Sequence, residues 1–414
     1  MSKSQDSPDS PDSLDSPDSL DSLDSSVWDV VIAGAGPAGA TAAIHLARQG
    51  HRVLMLDKDG FPRDKVCGDG LIADSIRCLK RAGLYDEVRR LGYEAAIGTV
   101  FSPSRIEFDV PGQFLTLKRL LLDNLIVQKA VACGARLVRA RVSRVGVEPD
   151  GAARFEIADS AKVVRGKIGL LATGASVELA SALDLVAQPA PGAIALRCYV
   201  RSSFDIDRLI ISYDRTITPG YAWIFPLGRG EYNVGCGVRY RGNGGPRVNL
   251  RKAYDLFVRS FPLAASLMRH AESATPLRGA MLRCGLKGAR PLGPGHILVI
   301  GETIGATFPF TGEGIGKAME TGEIAADISH RALASGDYAC LAEFPARIER
   351  ELKPKYTGYL LAEDWLSKPW LNDFVARRVR RSRYLQESIA GIVNETADPR
   401  QTFSIRGVLR SFVK

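Results

Sequence analysis

Three glycines near the start of the chain have the spacing of a dinucleotide-binding loop. Gly34, Gly36 and Gly39 form a Gly-x-Gly-x-x-Gly motif between an apolar run and an alanine-rich segment. In such a loop the first glycine permits a tight turn, the second lets the backbone approach a pyrophosphate, and the third lets helix and strand pack closely. Asp57 follows Gly39 by 18 residues, where an acid accepts a hydrogen bond from a ribose hydroxyl. These residues predict a bound dinucleotide.

A second glycine-rich stretch, later in the chain, predicts that the dinucleotide is FAD. An apolar strand predicted over Ile297–Ile300 delivers Gly301 and Glu302, which places the acid to bind a ribityl hydroxyl. A helix is predicted to begin near Gly312, and its N-terminus, with Gly314, stabilises negative charge on a reduced flavin. A flavin in this setting takes electrons from NADH or NADPH.

Cys67 is the side chain best suited to proton chemistry. It lies in RDKVCGDG close to Lys65, and a neighbouring ammonium group lowers the pKa of a thiol. Glycines on either side let the backbone bend toward a ligand. We hold two interpretations: Cys67 donates the proton in a reduction, or it is a small filler beside the flavin.

Three aromatic residues, Tyr221, Trp223 and Phe225, alternate in the stretch TPGYAWIFP. Alternation is the period of a β-strand, so the three rings leave the same face. Because FAD signatures stand on both sides of this stretch in the chain, we predict that the rings wall an apolar substrate site facing the flavin. We also predict that Pro226 ends the strand.

The elements that position these residues predict an α/β fold. It combines a discontinuous, Rossmann-like FAD-binding domain with an antiparallel β-sheet substrate domain and a helical C-terminal segment. We predict a disordered acidic tail at 1–26, the FAD-binding domain at 27–190 and 285–345, the substrate sheet at 191–284 with part of 95–115 joining it, and a helical basic segment at 346–414. Within them, Lys167–Gly174 is predicted to be a buried parallel strand and Leu227–Glu231 a hairpin turn.

Composition excludes several classes of protein. The 414 residues are 45% hydrophobic, which is enough for a large core. The seven cysteines form no CxxC pair and no metal-ligand spacing, so we predict reduced thiols, a cytoplasmic location and no metal. No apolar run reaches the roughly 18 to 20 residues that span a bilayer. There is also no GxSxG elbow for serine hydrolysis.

Charge is unevenly distributed along the chain. The first 26 residues hold seven Asp and one Lys, a net charge of −6, so the remainder carries +15 against +9 for the whole chain. Part of the excess lies in the run ARRVRRSR at Ala376–Arg383, close to Trp365, Trp370 and Phe374. Basic amphipathic helices with aromatic anchors suit contact with a membrane surface, and ordinary packing is the alternative. Nucleic-acid binding is not predicted, because no basic array with base-stacking aromatics is present.

Taken together, the motifs resemble the FAD-dependent geranylgeranyl reductase family, which includes menaquinone-chain reductases and belongs to the para-hydroxybenzoate-hydroxylase-like flavoproteins. The resemblance runs from Val27 to about Thr357 and is carried by GAGPAG at Gly34–Gly39, KVCGDGL at Lys65–Leu71, KRLLLDNLI at Lys118–Ile126, LLATGAS at Leu170–Ser176, YAWIFP at Tyr221–Pro226 and PFTGEGI at Pro309–Ile315. It implies that Arg119 contacts FAD and that YAWIFP helps line an isoprenoid site. The predicted cofactor-binding residues are Gly34, Gly36, Ala38, Gly39, Asp57, Lys58, Arg119, Gly174, Gly301, Glu302, Gly312, Gly314 and Ile315.

The chain departs from the family pattern in two segments. Where the family has Ala-Asp-Gly, this chain has Ala172-Thr173-Gly174, which removes a carboxylate near the cofactor. Where the family has Gly-Asp-Ala-Ala-Gly, this chain has the segment from Gly301 to Gly305, in which Glu302 lengthens the acid by one methylene. Both departures indicate a specialised branch, and the first bears on how the nicotinamide is received.

Two flavin reactions remain open from sequence. The resemblance favours reduction of a carbon–carbon double bond in a prenyl chain, carried by a quinone or a lipid. The departure at Thr173 favours a monooxygenase that hydroxylates or epoxidises a prenylated aromatic or quinone-like substrate through a flavin hydroperoxide. A third hypothesis is a non-enzymatic isoprenoid-binding module, against which the two intact cofactor motifs argue.

Overall fold

A computed structural model describes residues 26–187, 191–239, 248–309 and 311–413. The acidic tail predicted for residues 1–26 lies outside the described residues except for Ser26, and Phe310 of the PFTGEGI segment also lies outside them. No helix in this part of the chain has both the length and the apolar character needed to cross a membrane.

The described residues form strands and helices throughout the chain. The strands are β1 Trp28–Ala33, β2 Val53–Asp57, β3 Gly70–Leu71, β4 Tyr93–Phe101, β5 Glu107–Thr116, β6 Arg136–Arg139, β7 Val142–Val147, β8 Ala153–Ile157, β9 Val163–Leu171, β10 Ala193–Ser202, β11 Leu209–Ser212, β12 Tyr221–Gly228, β13 Glu231–Arg239, β14 Ala271–Ala274, β15 Arg278–Leu282 and β16 Ile297–Val299. The α-helices are α1 Pro37–Arg48, α2 Ala73–Ala82, α3 Tyr85–Leu91, α4 Arg119–Ala132, α5 Glu178–Ala182, α6 Leu250–Ser260, α7 Pro262–Arg269, α8 Ile315–Ser335, α9 Glu343–Glu351, α10 Lys353–Leu366, α11 Pro369–Val379, α12 Arg383–Val393, α13 Pro399–Thr402 and α14 Ile405–Val413. Short 3₁₀ helices lie at Gly301–Ile304 and Tyr338–Ala342.

The first sheet carries the dinucleotide motif. Its strand order is β6-β2-β1-β9-β8-β7, with β16 pairing with the C-terminal half of β9. Strands β6, β2, β1, β9 and β16 are parallel, so their carboxyl ends meet at one edge, where doubly wound sheets bind ligands. The segment predicted to be a buried parallel strand, Lys167–Gly174, overlaps the end of β9, which stops at Leu171. Helix α1 packs closely against α8 because Gly322 carries no side chain; a Cβ there would lie 2.4 Å from the backbone oxygen of Ala38.

The second sheet is larger than the predicted substrate sheet and is not wholly antiparallel. Its order is β14-β10-β13-β12-β11-β4-β5-β3, with β15 also pairing with β10. Strands β4 and β5 join it, as predicted for part of 95–115, but β11 runs parallel to β4. Parallel neighbours need a long crossover, and this one spans the chain from Phe101 to Leu209. Local alternation in the sequence carries no sign of such a distant partner.

The β12–β13 hairpin has the geometry that its sequence predicts. Arg229 and Gly230 separate the strands, and both have positive φ angles, 53° and 72°. Two such residues form a type I′ turn, whose twist matches that of the paired strands. The strand does not end at Pro226, however, but continues to Gly228. Strand β11 pairs with β12 only as far as Ile224, so Pro226 lies where the ladder is open on one side, a position in which sheets tolerate proline.

The faces of β12 divide its residues between core and cavity. Ala222 and Ile224 are fully buried and pack in one apolar cluster with Phe257 of α6. Tyr221, Trp223 and Phe225, which alternate with these residues, therefore project from the opposite face, toward the first sheet. Beyond this sheet, the segment from Glu343 onward is helical as predicted, and Asp373 of α11 ties it to the sheet by accepting hydrogen bonds from Ser102 Oγ at 2.6 Å and Ser104 N at 2.9 Å.

Candidate active site

One cavity of about 950 Å³ lies between the two sheets and the C-terminal helices. It is lined by every residue that we predicted to bind cofactor or substrate, or to act in catalysis, except Gly39. Gly39 lies behind the wall, where a Cβ would come within 2.0 Å of the Gly34 oxygen, so its lack of a side chain lets α1 pack against the loop. The cavity therefore brings together segments that are almost 300 residues apart in sequence, from Gly34 to Ile315.

The glycine loop at the start of α1 has room for a phosphate. A Cβ on Gly34, whose φ is +104°, would come within 2.3 Å of the Ala172 oxygen, so the loop and the end of β9 touch. A Cβ on Gly36 would instead meet only the Arg63 Nη2 atom, at 3.6 Å. The space in front of Gly36, at the N-terminus of α1, is thus open to a pyrophosphate.

Asp57 braces this loop from the end of β2. Its Oδ2 atom accepts a hydrogen bond from Ala35 N at 2.7 Å, and its Oδ1 atom accepts one from Asp59 N at 3.0 Å. A carboxylate oxygen has two lone pairs, so both oxygens retain capacity for ribose hydroxyls. Lys58, the next residue, lies exposed at the cavity wall.

A pair of arginines beside the loop, Arg119 and Arg63, was not predicted as a unit. Arg119 binds Asp123 in a two-point ion pair, with Nε–Oδ1 at 2.5 Å and Nη2–Oδ2 at 2.7 Å. Arg63 Nη1 lies 3.2 Å from the same carboxylate. Two guanidinium groups against one carboxylate leave one positive charge next to Gly36, which matches an anionic pyrophosphate. The i,i+4 spacing of Arg119 and Asp123 is visible in the sequence, whereas the contact of Arg63 is not.

The second FAD signature also faces the cavity. Glu302 lines the cavity, and its Oε1 atom accepts a hydrogen bond from Arg283 N at 3.3 Å. Burial raises the pKa of Glu302, and the positive charge of Lys65 opposes this rise. The following helix begins at Ile315 rather than near Gly312. Gly312 instead has a φ of +68° in the loop before the helix, and a Cβ there would lie 2.8 Å from the Tyr221 hydroxyl. The loop therefore touches the aromatic strand.

The three predicted rings form one wall of the cavity. Tyr221 and Trp223 have ring centroids 5.9 Å apart, and Trp223 and Phe225 have centroids 6.3 Å apart. The Tyr221 hydroxyl donates to the Thr311 oxygen at 2.5 Å, which anchors the wall to the loop before α8. The ring of Phe225 lies against Gly70, where a Cβ would come within 3.3 Å of it. The wall and the CGDGL segment are thus in contact.

Asn233, which sequence reasoning missed, joins the ring wall to the segment that carries Cys67. Its Oδ1 atom accepts a hydrogen bond from Trp223 Nε1 at 2.9 Å. Its Nδ2 group donates to the Cys67 oxygen and to Asp69 Oδ2, each at 2.8 Å. Asp69 Oδ2 also accepts from the Tyr199 hydroxyl at 2.8 Å. All polar atoms of the Asn233 side chain are therefore used, and the side chain is fully buried.

The electrostatics of the cavity contradict the prediction that Lys65 lowers the pKa of the Cys67 thiol. Burial raises the pKa of the Cys67 thiol to about 11, and the charge that opposes this rise comes from Arg119 rather than from Lys65. Cys67 therefore holds its proton at neutral pH. Burial also raises the pKa of Asp69 to about 6, against the hydrogen bonds from Tyr199 and Asn233.

A separate buried cluster of charges lies behind the cavity, between α2, α8 and α12. Within the described residues, carboxylate oxygens of Asp74, Glu320 and Glu395 lie close enough to one another to hold a metal ion. The ammonium group of Lys317 occupies that position, at 3.2, 2.7 and 2.8 Å from the three carboxylates. The cluster is an ion network that ties the C-terminal helices to the first sheet.

Comparison with known proteins agrees with this arrangement. Residues 27–158 match a protein family described as an FAD binding domain. The chain is 31% identical to menaquinone reductase of Mycobacterium tuberculosis over 324 residues, covering 72% of this chain and 76% of the relative. It is 30% identical to digeranylgeranylglycerophospholipid reductase 1 of Methanopyrus kandleri over 344 residues, covering 80% and 88%. Its fold is similar to that of a geranylgeranyl bacteriochlorophyll reductase-like protein from Thermoplasma acidophilum, with a TM-score of 0.75, 22% identity and coverage of 94% and 96%.

Proposed function

This chain belongs to the FAD-dependent geranylgeranyl reductase family, and from that premise we propose that it reduces a carbon–carbon double bond in the isoprenoid chain of an apolar, prenylated substrate. NADH or NADPH would supply the electrons. The relatives named above are reductases whose names specify a quinone or a glycerophospholipid with geranylgeranyl groups. These two substrate classes are therefore the first to test.

A single observation carries the proposal: the aromatic wall and the Cys67 segment line the same cavity as the two FAD signatures. The row of rings formed by Tyr221, Trp223 and Phe225 offers a long apolar surface but few hydrogen-bonding groups. The Tyr221 hydroxyl and Trp223 Nε1 already have protein partners. A surface of this kind suits a hydrocarbon chain better than a polar substrate.

The roles of the side chains follow from their protonation and position. When bound and reduced by the nicotinamide, FAD would supply the hydride for one carbon of the double bond. We assign to Cys67 the transfer of a proton to the other carbon, because its raised pKa keeps the thiol protonated. The resulting thiolate, beside Arg119, then takes a proton from solvent before the next turnover. Asn233 positions Cys67 through its backbone oxygen.

The cofactor-binding residues divide between the two ends of FAD. We assign the pyrophosphate to the open loop at Gly36 and to the excess positive charge of Arg63 and Arg119, and the adenosine ribose to Asp57. We assign the ribityl chain to Glu302 and the flavin ring to the loop before α8. The lack of obstruction at Gly36 and the charge balance around Asp123 support this orientation.

A monooxygenase is the second candidate, and Thr173 favours it. Thr173 Oγ1 donates to the Ser176 oxygen at 2.7 Å and lies 3.3 Å from Thr303 Oγ1, so two hydroxyls occupy the region in which the family pattern has an aspartate. Removal of a negative charge from this wall changes how the flavin environment receives a nicotinamide.

The decisive experiment uses the purified, FAD-loaded protein with NADH or NADPH and with menaquinone or a geranylgeranylated glycerophospholipid. We expect turnover without oxygen and a product that has gained two hydrogens by mass spectrometry. Turnover that requires oxygen and adds an oxygen atom would establish the monooxygenase and overturn the reductase.

The role of Cys67 has its own test. In Cys67→Ala, reduction of substrate should fall by at least roughly a hundredfold while reduction of the flavin by nicotinamide persists. Cys284→Ala is the matched control, because Cys284 lines the same cavity. Equal product formation in the two variants would return Cys67 to the role of a filler.

A further inference from the structure

The helices α11 and α14 expose large apolar side chains to an unusual degree. Trp370 is 70% exposed, and Ile405, Leu409 and Phe412 are 78%, 62% and 61% exposed. These are the four most exposed large apolar residues in the described parts of the chain. Side chains of this size are normally buried, so the exposure of four of them within residues 369–413 indicates a contact with something apolar.

The exposed residues share one side of their helices with arginines. Ile405, Leu409 and Phe412 have the spacing i, i+4, i+7, which places them on one face of α14. On α11, Arg377 follows Trp370 by 7 residues, so the two side chains also share a face. Arg381 follows Trp370 by 11 residues and continues that face into the turn after the helix. We call these six residues the C-terminal surface.

Arg378 links the last turn of α11 to the end of α14. Its guanidinium group donates to the Ser411 oxygen and lies over the ring of Phe412, 4.0 Å from the centroid. The end of α14 is therefore fixed next to the last turn of α11. This contact brings Phe412 close to the end of α11, near Arg377 and Arg381 in the chain.

The structure changes which aromatics are available for an external contact. Sequence reasoning grouped Trp365, Trp370 and Phe374 near the arginine run. Trp365 instead packs edge-on against Phe403, at 6.0 Å between ring centroids, and Phe374 is half-buried in the cluster around Val375. Only Trp370 of the three projects into solvent, and the other exposed apolar side chains come from α14.

The surroundings of this surface are strongly positive. Residues 369–413 contain eight arginines and four acidic residues. Two of the acids are turned inward: Asp373 is 5% exposed, and Glu395 binds the buried Lys317 at 2.8 Å. Within the described residues, no acidic side chain forms an ion pair with Arg381, Arg406 or Arg410, all of which are exposed.

We propose that the C-terminal surface binds an anionic lipid bilayer. Its apolar side chains would enter the boundary between headgroups and acyl chains, and the arginines would meet the headgroup phosphates. A second copy of the chain would bring two sets of unpaired arginines together, so the charge favours an anionic lipid as the occupant. On its inner side α11 lines the cavity through Asn372 and Val375, which places the bilayer next to the end of the cavity that the C-terminal helices close.

The test measures flotation of the FAD-loaded full chain with lipid vesicles, so its result is independent of the reaction proposed above. One set of vesicles contains phosphatidylcholine alone, and the other contains phosphatidylcholine with phosphatidylglycerol. We expect binding to the anionic vesicles, weakening as salt is added, and little binding to the neutral vesicles.

Two variants separate the apolar and the charged contributions. A variant with Ile405→Ser, Leu409→Ser and Phe412→Ser should lose binding by at least roughly tenfold. A variant with Arg377→Gln and Arg381→Gln should lose roughly fivefold per arginine on anionic vesicles only. The matched control carries Leu256→Ser, Arg251→Gln and Arg259→Gln on α6, where the same residue types are exposed. It should bind as the wild type does.

Other outcomes would overturn the proposal. Equal binding to both kinds of vesicle, or equal loss in the α6 control, would remove the C-terminal surface as the site. A wild-type dimer in analytical ultracentrifugation that the α14 variant converts to a monomer would identify a second copy as the occupant. Flavin content and melting temperature, which exposed substitutions should leave unchanged, show whether each variant is folded.

Discussion

Replacement of Asn233 should loosen both the substrate wall and the segment that carries Cys67. The side chain is fully buried and forms three hydrogen bonds, to Trp223, to the Cys67 backbone and to Asp69. Asn233→Ala removes all three. Asp69 keeps its bond from Tyr199, but the Trp223 indole N–H and the Cys67 oxygen lose the partners described above.

The size of the effect follows from these unpaired groups. A buried polar group without a partner costs about 1 to 3 kcal/mol, and water from the adjacent cavity reduces that cost. We therefore expect the free energy of unfolding to fall by about 3 kcal/mol. Movement of Cys67 by about 1 Å should lower kcat/KM for substrate reduction about a hundredfold, while flavin reduction by the nicotinamide is retained.

Asn233→Asp sharpens the test because it adds a dependence on pH. It keeps an acceptor for Trp223 but places a second carboxylate beside Asp69. The rise in the pKa of Asp69 from 3.8 to about 6 already makes the folded state bind its proton more tightly than the unfolded state. This group therefore costs the wild type about 3 kcal/mol of stability as pH rises from about 4 to 6. The added carboxylate raises the pKa further, so the loss continues above pH 6.

The assay is urea unfolding of the FAD-loaded protein at pH 5, 7 and 8, together with steady-state kinetics. The stability difference between Asn233→Asp and the wild type should grow from pH 5 to pH 8 by more than that of Asn233→Ala, in which Asp69 loses the hydrogen bond from Asn233 but gains no second carboxylate beside it. A constant difference for the aspartate variant, or wild-type stability and kcat/KM in the alanine variant, would refute the role given to Asn233.

Three further predictions test the cofactor site, the substrate wall and the buried ion network. Gly36→Val should fill the space in front of the loop and lower the flavin-to-protein ratio by at least roughly tenfold, with an unchanged melting temperature of the flavin-free protein. Phe225→Ala should raise KM for the prenylated substrate by roughly tenfold or more at unchanged flavin content, since it removes one ring of the wall. Lys317→Met should lower the free energy of unfolding by about 3 to 5 kcal/mol, because it leaves buried carboxylates without their cation. The Lys355 side chain is half-exposed and lies 2.8 Å from Glu395, so Lys355→Met should lower the free energy of unfolding by about 1 kcal/mol or less. Similar urea midpoints for the two variants would contradict this.

Several residues of the candidate cofactor site could be predicted because their signals are local. Gly39 approaches the Gly34 oxygen within the same loop, as its spacing implies, whereas the close contact of Gly34 is with Ala172 at the end of β9, which the sequence does not display. The alternation of Tyr221, Trp223 and Phe225 likewise predicts a common face, which is the face found.

The residues that sequence reasoning missed depend on distant partners. Asn233 is 166 residues from Cys67 and 164 from Asp69, and its own segment reads as an ordinary strand. Lys65 was expected to set the pKa of Cys67 because it is near in sequence, yet the opposing charge comes from Arg119 across the cavity. The burial of Cys67 and its proximity to Arg119 depend on the folded structure, and neither produces a periodic pattern in the sequence.

The parallel pairing of β11 with β4 has a consequence for modularity. The segment 191–284 is a candidate for exchange between relatives to alter substrate preference. The sheet that it forms, however, also contains β4 and β5, which lie much earlier in the sequence. If 191–284 alone were replaced by the segment of a relative, the relative's β11 would have to pair with the β4 of this chain. Recombination that respects this sheet must therefore move residues 93–116 and 191–284 together, as a matched pair of insertions in one cofactor-binding scaffold.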